Sequence, residues 1–153
     1  MPEPSDPVSA GARAAGLLEE ACRSEAAGSL RLAVVRDLAL DIKRELEALT
    51  GPAEEAAAAP DVLAEAALRC ADLANLAACN VPGLPPDGAP RAATAARLAA
   101  GAVRDLRSLI KTDSRDLNEE HAENLSRDVR SAVWRAEFAL RLVDGFLDEE
   151  SSS

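Results

Sequence analysis

Residues 119 to 147 read EEHAENLSRDVRSAVWRAEFALRLVDGFL. Leu125, Val129, Ala132, Ala136, Leu140, Val143 and Leu147 recur at steps of three and four, so a turn of about 3.6 residues stacks them along one side of a helix. Glu123 precedes Arg127, and Glu137 precedes Arg141, by four residues; such pairs contribute about 0.2–0.5 kcal/mol each in an isolated helix. The segment predicts one long helix, starting between Ser114 and Glu119 and ending near Phe146. A single apolar seam must be covered, and other helices are the natural cover.

The same stretch carries a second apolar line. Trp134, Phe138 and Leu142 step by four, roughly opposite the seam of Val129, Leu140 and Leu147 by helical geometry. Either the helix is buried on both sides, or the aromatic side is exposed and meets a partner, as aromatic anchors do at interface centres. An Ala-rich bundle with so few large residues needs its aromatics for the core, which favours burial within the chain. Arg130, Trp134, Phe138 and Leu142 are the candidate partner-binding residues.

Working outward, four further helices are expected. The first runs from about Ser9 to Glu25 with Leu17, Leu18, Ala21 and Cys22 inward, and Ala27-Gly28-Ser29 breaks it. The second runs from Leu30 to Leu49; Val35, Leu38, Ile42, Leu46 and Leu49 form a stripe that Leu30, Val34 and Leu40 widen. So wide a face predicts a central helix, with Lys43 and Glu47 toward solvent. Gly51, Pro52 and Pro60 end it and start the third, Asp61 to Ala78, where Leu63, Ala67, Cys70, Ala74 and Ala77 allow close helix approach. NVPGLPPDGAP, residues 80 to 90, stops that helix, and the fourth runs from Arg91 to Lys111 along Ala92, Ala95, Ala99, Val103, Leu106 and Ile110. The fold class predicted is all-α, an antiparallel bundle of four to five helices, joined by short connections.

Composition agrees. The 153 residues suit one domain spanning 9 to 148, with frayed tails at 1 to 8 and 149 to 153. Hydrophobic residues make up 48% but aromatics only 2%, and the Ala, Leu, Arg and Glu that dominate favour helix over strand. A formal charge of −10 opposes phosphates and anionic lipid, so neither nucleic acid nor membrane is an expected partner. MPEPSDP opens without a cationic region or apolar core, and no apolar run reaches the roughly 20 residues a bilayer needs. A cytoplasmic location is the expectation. Cys22, Cys70 and Cys79, odd in number and without a C-x-x-C spacing, suit a reducing compartment and buried thiols. Cys70 and Cys79 fall on opposite faces of one helix and cannot bridge within it.

G-x-S-x-G, the P-loop, G-x-G-x-x-G and H-E-x-x-H are all lacking, and one His and two Lys leave few general bases. His121 lies among Glu119, Glu120 and Glu123, but a carboxylate–His site on a bundle needs Glu three residues before the His, where Asn118 stands. A first turn whose acids favour the positive helix end accounts for the cluster. Glu19-Glu20 and Glu54-Glu55 are expected on solvent faces, since helix neighbours do not point the same way. Cys70 has no basic residue on its face to lower its pKa. No catalytic, metal or cofactor-binding residue is assigned.

Ser29 to Leu84 nevertheless resembles, in layout, the C-terminal half of the formiminotetrahydrofolate cyclodeaminase and methenyltetrahydrofolate cyclohydrolase family. The matching phrases are SLRLAVVRDLALDIKRELEAL, DVLAEAALRCADLANLAACN and VPGLPPDG, about a third to two-fifths of the chain. The resemblance implies an all-helical fold and a tendency to dimerise. That family opens with a Gly-rich segment and an early catalytic acid, and nothing before Ser29 corresponds to either, so no folate-contacting residue carries over.

Two functions of different class follow. One is a non-catalytic helical protein acting by self-association, as a homodimer, or by binding a protein partner. The other is a folate-type one-carbon enzyme or a degenerate relative of one.

Overall fold

A computed structural model describes residues 6–23, 29–49, 59–113 and 117–151. Among them α1 spans Pro7–Arg23, α2 Leu30–Leu49, α3 Pro60–Asn80, α4 Ala89–Asp113 and α5 Glu119–Ser151, with a 3-10 turn, Val81–Gly83, after α3. Local chemistry sets these starts. The Leu32 N–H donates to Ser29 Oγ at 3.3 Å and the His121 N–H to Asn118 Oδ1 at 2.8 Å, so each side chain satisfies a donor that the first turn leaves open. Pro60 takes the first position of α3, where no N–H is required. Asn118, read only as a missing metal ligand in the sequence, is the cap of α5.

Cross-helix contacts give the directions. Arg31 meets Asn80 while Glu45 meets Arg69, so α2 runs against α3. His121 meets Asp61 while Arg135 meets Asp72, so α5 runs parallel to α3. Arg97 reaches Asp144 while Ile110 shares a hollow with Ala122 and Leu125, which sets α4 antiparallel to both. Gly11 lies against Cys70, and Ala21 against Gly88, aligning α1 with α3. The all-α bundle is thus up, down, up, down, up, each helix antiparallel to the next in sequence, as expected. The parallel pair α3 and α5 arises because α4 returns the chain between them.

The interior is made of small residues. Ala66, Ala67, Ala71 and Ala74 on α3, and Ala95, Ala96, Ala99 and Ala100 on α4, are all buried, and these two helices pack most extensively. Alanine removes little apolar area per residue, so stability rests on close backbone approach and dispersion across many contacts. Gly11 shows how close: a Cβ there would stand 2.5 Å from Cys70 Sγ and 3.1 Å from Leu46 Cδ1. At the bundle's other end a Cβ on Gly88 would stand 2.9 Å from the Ala21 carbonyl oxygen.

Several expectations need correction. α2 is not central: it packs on α1, touches α3 lightly, and meets neither α4 nor α5. Its wide stripe is divided, with Leu32, Val35, Ala39 and Leu46 buried while Leu30, Val34 and Leu38 stay exposed. Glu19 is not on a solvent face but buried beside Leu18, held by the Arg23 Nε–H at 3.0 Å. Cys22 and Cys70 are buried as expected, whereas Cys79 is exposed. α1 begins at Pro7 with Val8 buried, and α5 continues to Ser151, so residues 7–8 and 149–151 are helix rather than tail. The expected breaks at Ala27-Gly28 and Gly51-Pro52, and the Glu54-Glu55 pair, lie outside the described residues.

A candidate partner-binding surface on the last helix

α5 buries one side only. Leu125, Val129, Ala132, Ala136, Ala139 and Val143 face the groove between α3 and α4. At about 100° per residue, Trp134 falls about 180° from Leu125, Phe138 about 220° and Leu142 about 260°. The structure leaves all three outside, with Trp134 68%, Phe138 43% and Leu142 38% exposed. The reading that favoured their burial within the chain is therefore overturned. It failed because no helix covers that side of α5, which packs on α3, α4 and the 3-10 turn alone among the described elements.

The exposed rings are ordered against each other. Trp134 and Phe138 stack with centroids 5.8 Å apart and planes 9° from parallel, an offset geometry that contributes about 0.5–1.5 kcal/mol beyond burial. Arg130, one turn earlier, sends its Nε–H to the Ser126 carbonyl at 3.4 Å and borders an open hollow between α4 and α5. That hollow, about 430 Å³, has Ile110, Ala122, Leu125 and Val129 at its floor and Arg107, Lys111 and Arg130 at its rim. The four candidate residues thus form one line along the outside of α5, with Arg130 joining the aromatic stripe to the basic rim.

On the α3 side, the Arg135 Nη1–H donates to Asp72 Oδ1 at 3.0 Å, and Asn75 Nδ2 donates to the Arg135 carbonyl at 3.2 Å. These bonds pin α5 to α3 just beside the stripe. Arg69 Nε lies 2.7 Å from Glu45 Oε2 but off its N–H axis, so α2 and α3 are joined there by an ion pair rather than a hydrogen bond. Arg69 and Asp72 line both the shallow hollow toward α2 and the one toward α5. α2, α3 and α5 therefore share one outer face, with α3 in the middle.

That face holds a second exposed stripe that the sequence reading assigned to the core. Leu30 is 83% exposed, and Val34 and Leu38 follow it at steps of four. The signal was present, since these residues form the trailing edge of an arc too wide for one neighbour to cover.

The remaining reactive groups do not converge. His121 Nε2 sits 2.6 Å from Asp61 Oδ1, tying the starts of α5 and α3, and among the described residues no group of three His, Cys, Asp or Glu could hold a metal ion. Burial pushes the Cys70 thiol up to about 12, and burial, then the Glu19 carboxylate, raise Cys22. Both thiols are thereby kept protonated and poorly nucleophilic. Among the described residues no helix is long and apolar enough to cross a membrane. No family model matches the chain, and neither does any curated protein or solved structure.

Proposed function

We propose that this chain is a non-catalytic helical module that works by binding protein through the outer face of α5. The observation that carries the reading is the stacked Trp134–Phe138 pair, held in water on a chain whose Trp and Phe number three in all. Leaving large apolar side chains in solvent forgoes about 1.5–3 kcal/mol each, and a partner that covers them recovers it. Arg130 and Arg141 flank the rings, and Trp and Arg are the residue types that dominate binding energy at interface centres.

The test is a photo-reactive benzoyl-phenylalanine in place of Phe138, irradiated in the cell, with Arg104 on the exposed side of α4 as control position. The reading predicts a discrete adduct at 138 that Trp134→Glu abolishes and that position 104 does not give. Equal, diffuse labelling at both positions would refute it.

A further inference from the structure

Beyond the aromatic stripe, we infer that the hollow between the end of α4 and the start of α5 binds a small amphipathic anion, an apolar chain or ring that carries a carboxylate or phosphate head. Its floor is formed by Ile110 of α4 with Leu125 and Val129 of α5, all three buried. Ala122 and Ser126, whose side chains stop at Cβ and Oγ, leave the room above it. α4 and α5 also pack less extensively on each other than either does on α3. The volume, about 430 Å³, falls within the roughly 300–1,000 Å³ of small-molecule sites.

Every charged residue that lines the hollow is basic: Arg107, Lys111 and Arg130. None of the three forms an ion pair among the described residues. In a chain with 27 Asp and Glu against 17 Lys and Arg, cations on other faces do find acids: Arg23 with Glu19, Arg69 with Glu45, Arg97 with Asp144 and Arg135 with Asp72. Glu119, Glu123 and Glu137 on α5 and Asp105 on α4 are exposed, line none of the hollow and pair with none of its three cations. Lys111 has a local reason to be there, since it stands in the last turn of α4, where the helix end favours a cation. Arg107 and Arg130 lie inside their helices, beyond that short-ranged field.

An amphipathic anion answers both features. The aliphatic stems of Arg107, Lys111 and Arg130 wall the hollow and carry their charges to its rim. Like charges held around an apolar floor repel one another, and a carboxylate or phosphate among them replaces that repulsion with attraction. The guanidinium forks bind such a head through paired N–H donors, while the apolar body covers Ile110, Leu125 and Val129. A neutral molecule gains only the floor and a bare ion only the rim, so the site selects a ligand that has both parts.

Amide shifts of the isotope-labelled intact chain, titrated with octanoate and with octyl phosphate below their micelle concentrations, test the site. At least one of the two should saturate, with shifts centred on Ile110, Lys111, Ala122 and Ser126, and the stronger binder identifies the preferred head. Octanol, the body without the head, and acetate or inorganic phosphate, the head without the body, should each bind at least about tenfold more weakly. Arg107→Gln with Lys111→Gln, both on exposed side chains, should weaken the preferred anion by about tenfold or more. Arg141→Gln, an exposed cation that does not line the hollow, should leave binding unchanged, and Ala122→Phe, which fills the hollow, should abolish it. No saturable binding of either anion, equal binding of octanol, shifts centred on Trp134 and Phe138, or indifference to the Arg107 and Lys111 replacements would each overturn the site. The adduct at Phe138 decides the protein-binding reading separately, so either can fail while the other stands.

Discussion

Asn75 on α3 donates its amide N–H to the Arg135 carbonyl on α5, and Arg135 in turn donates to Asp72 one turn back on α3. This reciprocal clasp holds α5 in one rotation about its own axis, with the seam inward and the stacked rings outward. Asn75 is half-buried, and replacing it with Leu leaves the α3–α5 junction without its side-chain to backbone bond. A loss of about 1–2 kcal/mol is expected, as for a hydrogen bond at a partly buried junction, measured by urea unfolding. An unchanged midpoint would show that packing alone sets the rotation.

The exposed rings should matter little to the isolated fold. Trp134→Ser with Phe138→Ser should change the unfolding free energy of dilute protein by no more than about 0.5–1.5 kcal/mol, the surface range plus the lost stacking. Association should disappear. A fall of 4 kcal/mol or more, the scale of core deletions, would mean the rings support the fold, and thermal unfolding of the variant separates the two.

Glycine positions give a two-sided test of the packing. Gly11→Ala forces a methyl against Cys70 and Leu46 and should cost about 1–3 kcal/mol, the usual penalty for overpacking. Gly101→Ala meets nothing within 4 Å on the same measure and should stabilise α4 by about 0.5–1 kcal/mol through helix propensity. Denaturant midpoints should move in opposite directions.

The thiols predict an alkaline limit. Cys70 in the folded chain titrates near 12 against an ordinary value of 9.0. Below pH 9 both states hold the proton and stability is full. Above it the unfolded chain releases the proton first, so stability falls toward pH 12 with a slope of at most about 1.4 kcal/mol per pH unit from this group. Cys22 acts in the same direction. Cys70→Ala should flatten the pH profile between 9 and 12, and an unaltered slope would place the titration elsewhere. At neutral pH a thiol reagent should label Cys79 at once, and Cys22 and Cys70 only on unfolding.

The layout shared with the folate enzymes can be tested separately. At 100 times its dissociation constant a ligand adds about 2.7 kcal/mol to stability, several degrees for a domain of this size. A non-catalytic module predicts no shift with tetrahydrofolate or its methenyl and formimino derivatives, and a clear shift with any of them would favour the enzyme reading.

Helix number, order and direction were legible because steps of three and four, punctuated by Pro60, Pro82 and Pro90, leave little choice. Burial within those helices was less so. Periodicity shows that Leu30, Val34 and Leu38 adjoin the buried arc of α2, but not that α2 sits at the edge with a single main neighbour. The aromatic line on α5 was read correctly as a second side and placed wrongly inside. Its fate depends on whether another helix packs on the far side of α5, and the order in which helices assemble is a tertiary property. Glu19 shows the same limit, since a buried acid is tolerated only because Arg23 folds over it. For the surface itself, Arg130, Trp134, Phe138 and Leu142 were all named in the sequence, while the exposed α2 stripe of Leu30, Val34 and Leu38 was hidden within an apparent core.

The most direct test of the central claim is Trp134 fluorescence, read together with solution mass across a dilution series. As the only tryptophan, it reports on the α5 stripe alone. Red-shifted emission in the dilute monomer, moving blue in step with association, is the predicted result. Blue emission at every concentration from a protein that stays monomeric would contradict it.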